Sequence, residues 1–197
     1  MKYLYPFLFL ISLSWGTGCS EQGTNNVQYV GNMADTSYAG QITSTKTKFR
    51  INALGEEIAI DKYSGKFVWA DLAAPWCSAC VPQTKAIKRL EKSFSEEVVF
   101  ITVVTSRTAG KSTSPANKQT AIQWSRQLGL DPEKVLAAPE LWGRKVPAHF
   151  FYSPAGQTLF HHVGGLSENQ IRDTLNKYIY DWEQWDKHGT LASWMQN

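Results

Sequence analysis

The chain has 197 residues, 43% of them hydrophobic and 19% charged, with a formal net charge of +3. That is enough for one ordinary domain with a real core, and the composition excludes a disordered chain. The basic residues form no block. The densest group is Lys46, Lys48 and Arg50, interleaved with Thr47 and Phe49, which falls short of a nucleic-acid footprint, so no nucleic-acid partner is expected.

In chain order, the first segment reads as an export signal. Lys2 supplies the charged start, Tyr3 to Leu13 a short apolar run, and Ser14 to Gly18 a mostly small and polar end. The run is too short for a comfortable membrane-spanning helix but suits the apolar region of a secretory signal. Cys19 follows Thr17 and Gly18 directly, an arrangement that resembles a bacterial lipoprotein signal, although Gly16 stands where that pattern has Leu. The resemblance implies residues 1–18 as signal peptide and Cys19 as a lipid anchor. Ordinary cleavage nearby and an uncleaved anchor are the alternatives. Ser20, in place of a retaining Asp, points to the outer membrane if the cell is Gram-negative. Residues 19–46 are rich in Gly, Asn, Ser, Thr and Gln and read as a flexible tether. Residues 47–197 form the expected folded domain.

Within that domain strands and helices alternate. Phe49, Ile51 and Leu54 open an extended piece, Gly55 turns it, and Ile58 to Ile60 return as its hairpin mate. Lys62 to Gly65 is a further turn. Phe67 to Leu72 is a buried strand, apolar except for Asp71. A helix is predicted over 78–93, with Val81, Ala86, Ile87, Leu90 and Phe94 on its apolar side and Pro82 in its first turn. Val98 to Val104 is a second apolar strand, and two such strands suit a central sheet covered on both faces. Thr105 to Asn117 reads as a loop and Lys118 to Leu128 as a helix stopped by Gly129. Val135–Leu136 is a short extended piece, and Glu140 to Arg144 a turn. Ala148 to Tyr152 and Thr158 to Val163 form a hairpin joined by Pro154, Ala155 and Gly156. The last helix spans Glu168 to about His188, with Ile171, Leu175, Tyr178, Ile179, Trp182 and Trp185 as its stripe. Packing of that helix and of a folded-back tail accounts for Trp182, Trp185 and Trp194. An exposed aromatic patch is the alternative, and the exposure of Trp194 decides between them.

The chemistry centres on Trp76-Cys77-Ser78-Ala79-Cys80, between the first apolar strand and the first helix. Two cysteines so spaced can be a redox pair, a structural disulfide or half of a zinc site. Zinc needs two further ligands, and His149, His161, His162 and His188 show no ligand spacing among themselves. No metal or cofactor is therefore expected. A thiol where a helix begins is stabilised as thiolate by free N–H groups and the positive helix end. Cys77 is thus expected to be the more exposed nucleophile, and Cys80, one turn inward, the resolving thiol. Asp71 is either an edge or capping residue, or a buried acid with raised pKa that takes the proton of Cys80. Pro147 must start a strand or lie on an edge; a cis Val146–Pro147 bond would offer the backbone of Val146 to an extended client.

With the pair, the acid and the late proline together, the chain resembles the thioredoxin superfamily, most closely its TlpA/ResA-like, membrane-facing branch. The resemblance covers about Phe49 to Ile179. It is carried by FRINALGEEIAIDKYSGKFVWADLAAPWCSAC and by VPAHFFYSPAGQTLFHHVGGLSENQI. It implies an α/β thioredoxin-like fold, a central mixed sheet flanked by helices, with an N-terminal β-hairpin and an insertion at about Thr105 to Leu136. By motif it makes Cys77 the nucleophile, Cys80 the resolving thiol, Trp76 the flanking aromatic, Asp71 the buried acid and Pro147 the cis proline. Three departures bear on partner choice and redox poise: Gln83 stands where many members have Glu, Ala79 where Pro is common, and WGRKVP is one residue short. The implied activity is thiol-disulfide exchange. It reduces cysteine-containing exported proteins, apocytochromes c among them, and is resupplied by a membrane electron donor. A disulfide-donating oxidase or isomerase and a non-catalytic binding or chaperone module are the competing readings. A peroxidase lacks its Pro-x-x-x-Thr-x-x-Cys stretch here, and a copper carrier would space its cysteines by three.

Overall fold

Strand propensity and alternation build the centre of the molecule. In this computed structural model, residues 50–109 and 112–189 are described. The signal segment, the tether with Cys19, Phe49 and Trp194 lie outside them. Strands β3 (Phe67–Ala73) and β4 (Val98–Val104) are the two apolar runs and pair in parallel, with Asp71 opposite Thr102. Around them a seven-stranded mixed sheet has the order β2-β1-β7-β4-β3-β8-β9. Here β1 is Arg50–Asn52, β2 Glu57–Ile58, β7 Val135–Ala137, β8 Ala148–Tyr152 and β9 Thr158–Val163. The predicted hairpins β1–β2 and β8–β9 both form, antiparallel. Buried Asn52 folds the first: its Oδ1 accepts from the N–H groups of Leu54 and Glu56.

Among the described residues three α-helices cover the sheet: α1 (Cys80–Phe94), α2 (Lys118–Leu128) and α3 (Glu168–His188). The last two end where the sequence predicts and for the predicted reason. Asn117 and Ser167 make capping boxes, and Gly129 and Gly189 close the helices in the left-handed region, with φ of 60° and 65°. The first differs. α1 begins at Cys80 rather than residue 78, because Trp76 to Ala79 are spent in turns that bring the Cys77 N–H to the Ala74 carbonyl at 3.0 Å.

Alternation along β3 assigns its side chains to two cores. Val68, Ala70 and Leu72 join Ile101, Val103, Leu136, Phe150 and Tyr152 on one face. Phe67 and Trp69 lie on the other beneath α1 and α3, with Leu90, Phe151, Ile171 and Leu175. A third cluster joins both cysteines to Ala121 and Trp124 of α2. On α3, Trp182 is half-buried edge-on to Phe67, whereas Trp185 is exposed.

The region Thr105 to Asn117, expected as loop, holds a second sheet. β5 (Ser106–Ala109) pairs antiparallel with β6 (Ser112–Pro115) in a two-stranded hairpin. Its residues are Ser, Thr, Arg, Ala and Pro, with no hydrophobic alternation to reveal it. It is held by side chains of other elements: the Trp76 indole N–H donates to Ser106 Oγ at 2.8 Å and that of Trp142 to Thr113 Oγ1 at 3.2 Å.

Candidate functional site

β3 ends at Ala73, and the chain turns through Ala74 to Ala79 before α1 starts. That turn places Cys77 just outside the helix and Cys80 at its first residue, so Cys80 is at the helix start and not a turn inside it. The two form a disulfide, S–S 2.12 Å with a Cα–Cα distance of 5.3 Å. Cys80 is wholly buried, while Cys77 keeps 6% exposure. Pro82, third in α1, has no N–H that the first turn would leave unpaired. The N-cap residue Ala79 has no side chain to bond the first turn, and no acidic residue lies there. The helix end therefore faces sulfur: the Cys80 N–H points at Cys77 Sγ, 3.1 Å away. This is the geometry that favours negative charge on Cys77 when the disulfide is open.

Across the turn, Val146–Pro147 is a cis peptide, and Val146 packs against the cysteine cluster. The Pro147 carbonyl is taken by the N–H of Gly164 at 2.9 Å, which ties the loop to the end of β9. Trp76 stands beside Cys77 with 47% of its surface exposed, its indole N–H held by the β5–β6 hairpin. Trp142, also half exposed, braces the other strand of that hairpin.

Asp71 is not an edge residue. β3 lies between β4 and β8, and the carboxyl is buried on the α1 face. Thr84, one helical turn after Cys80, donates its hydroxyl to Asp71 Oδ2 at 2.7 Å. Burial pushes the carboxyl up to about 7, against the opposing pull of that hydrogen bond.

The residue that sequence reasoning passed over is His149. It sits opposite Asp71 in the β3–β8 register, and its Nδ1 lies 3.4 Å from Asp71 Oδ1. Both side chains are fully buried. Burial holds the imidazole down to about 3, helped by His162 and His161 and opposed by the backbone of Gly164. Only its place in an apolar strand, AHFFY, marks it in sequence, and that signal suits a core histidine equally well. Gln83 stands in sequence only as a departure from Glu. It is buried, and its Oε1 accepts from the N–H of Leu166 at 2.7 Å, joining α1 to the loop before α3. Among the described residues no group of His, Cys, Asp and Glu is arranged to hold a metal ion.

No family model and no curated protein matches this sequence. Solved structures do match. The exposed lipoprotein thioredoxin Etrx1 of Streptococcus pneumoniae shares 24% identity over 66% of this chain and 98% of its own, with a TM-score of 0.52. A thiol:disulfide interchange protein of the thioredoxin family from Chlorobium tepidum shares 15%, covering 66% and 92%, TM-score 0.53. A secreted Mycobacterium tuberculosis disulfide oxidoreductase, homologous to DsbE of E. coli, shares 14%, covering 66% and 96%, TM-score 0.53. These likenesses establish the fold: an α/β thioredoxin-like fold with a central mixed sheet, flanking helices and extra strands.

Proposed function

We propose that this chain is a thiol-disulfide oxidoreductase that reduces disulfides in exported proteins. The observation that carries the reading is the pair itself: the Cys80 N–H is aimed at Cys77 Sγ at a helix start, beside the cis Val146–Pro147 bond. The names of the similar structures, a lipoprotein thioredoxin and a thiol:disulfide interchange protein, support it.

In this reading the Cys77 thiolate attacks a client disulfide, forms a mixed disulfide and releases the first client sulfur as thiolate. Cys80 gives up its proton, with Asp71 as acceptor, and attacks Cys77 Sγ. The Cys77–client bond breaks with its electron pair on the client sulfur, which takes a proton from solvent. The protein is left oxidised, the client reduced by two electrons, and a membrane electron donor restores the dithiol. Trp76 and the backbone of Val146 receive the client chain. Residues 1–18 export the protein and Cys19 anchors it by lipid, with residues 19–46 as the tether, so its site is the periplasmic side of a membrane. The TlpA/ResA-like branch and apocytochrome c clients belong to the same proposal.

Cys77→Ser is expected to abolish reduction of a small disulfide, and Cys80→Ala to accumulate mixed disulfides whose partners name the clients. Unchanged cellular function in Cys77→Ser would instead favour a binding module. The redox potential decides direction: a value near about −270 mV, like thioredoxin, supports a reductase, and one near about −120 mV, like DsbA, a disulfide donor.

A further inference from the structure

Asp71, His149 and His162 form a row on one face of the sheet. Asp71 on β3 is opposite His149 on β8, and His149 is opposite His162 on the edge strand β9. The two imidazoles stack nearly parallel, 11° between planes and 6.5 Å between centroids. Exposure rises along the row, from none at Asp71 and His149 to partial at His162. Asp71 Oδ1 and both ring nitrogens of His149 are buried and outside ordinary hydrogen-bond geometry, with the Gly164 backbone as a looser partner of the imidazole. Three polar atoms so placed, in a core otherwise of Trp69, Phe151 and Ile171, are costly and ask for a role.

We propose that His149 is a proton relay between Asp71 and the sheet edge at His162, so that the buried carboxyl exchanges protons with solvent through the imidazole. When Asp71 is ionised, the Nδ1–H of neutral His149 faces Oδ1. A proton arriving at Nε2 from the His162 side, with the Nδ1 proton passing to Oδ1, leaves a neutral acid and a neutral imidazole now protonated on Nε2. One proton enters and one is delivered, and the reverse sequence empties the acid. The inference rests on the oxidoreductase reading for its purpose: the proton that Cys80 gives to Asp71 during resolution must leave before the next turnover.

Apart from the Gly164 backbone against the imidazole, the groups facing the row leave this path open. Above Asp71, α1 presents Thr84 and, one turn earlier, Cys80; Lys88 is turned away onto the carbonyls of Leu128 and Gly129. The β4 neighbour of Asp71 is Thr102, which does not titrate. From α3 the core receives Ile171, Leu175 and Tyr178, the last against Phe151. His161, on β9, stacks on Phe150 on the opposite face and acts on His149 through charge.

The test is made on the oxidised full chain, in which neither cysteine titrates. The 13C signal of the Asp71 carboxyl and the 15N signals of the His149 ring are followed together against pH. His149 is expected to pass from the Nδ1–H to the Nε2–H tautomer as Asp71 takes up its proton. A ring fixed in one tautomer across that titration overturns the relay. His149→Phe keeps the aromatic shape and is expected to move the Asp71 midpoint upward by about one pH unit, a tenfold change in the acid constant. Resolution of a preformed Cys77 mixed disulfide at pH 7 is expected to slow by about tenfold or more. His149→Gln can donate to Asp71 but cannot tautomerise, so it should restore the midpoint and not the rate. Equal resolution rates in wild type, His149→Phe and His149→Gln would overturn the relay. Failure of the wild-type protein to exchange disulfides at all would overturn the oxidoreductase reading, and the two titrations would still decide the relay.

Discussion

Replacing Asp71 by Asn should stabilise this protein, and by an amount that depends on pH. The carboxyl titrates near 3.8 in an unfolded chain and at about 7 in the fold, because burial opposes its charge. Between those values the folded state holds a proton that the unfolded state has released, so stability falls as pH rises through that window. The full shift is about three units, each about 1.4 kcal/mol, so the ionised acid costs the fold about 4 kcal/mol at pH 8. At pH 5 the unfolded carboxyl has lost its proton over only about one unit, and the cost is about 2 kcal/mol. Asn stays neutral throughout, and its side-chain oxygen can still accept from Thr84. Any effect of imperfect fit is the same at both values and cancels. Urea unfolding of the oxidised wild type and Asp71→Asn at pH 5 and pH 8 should therefore give stability differences that diverge by about 2 kcal/mol, larger at pH 8. Equal differences at both pH values would refute the reasoning, and with it the raised acid.

His149 should contribute the opposite slope. The unfolded imidazole charges near 6.5, whereas the buried one stays neutral down to about 3, so stability is lost as pH falls through 6.5. On acidification from pH 7.5 to 4, His149→Phe should be spared about 3 kcal/mol of that loss, read from urea midpoints at the two pH values. In the wild type the Asp71 and His149 slopes nearly offset each other between about pH 4 and 6.5, so its stability should be almost flat there. Gly129→Ala should lower stability by about 1–2 kcal/mol in thermal or urea unfolding. Gly129 caps α2 at φ 60°, and a Cβ there would meet Lys88 Nζ at 3.1 Å, which donates to the Gly129 carbonyl. An unchanged midpoint in Gly129→Ala would mean the cap relaxes without strain.

Much of the fold is legible in the residues because its elements are fixed by local signals. β4, β8, β9, α2 and α3 have the predicted ends, since apolar runs, capping residues and glycines act within a few residues of one another. α1 begins later than predicted because a turn demanded by the cysteine pair competes with helix propensity over the same residues. The β5–β6 hairpin left no trace in sequence because its anchors, Trp76 and Trp142, belong to other elements.

The candidate site divides the same way. Spacing, strand context and turn chemistry are local and single out Cys77, Cys80, Asp71 and Pro147 as the set to examine, while Trp76 joins them through the family resemblance. That Asp71 is central rather than at an edge follows only from strand order, which depends on contacts made far along the chain. That His149 is its partner follows only from register: a slip of one residue along β8 would put the imidazole on the opposite face. Sequence thus determined which residues are the candidates for chemistry. Tertiary structure decided which buried groups face one another, because cross-strand neighbours are set by pairing and not by position in the chain.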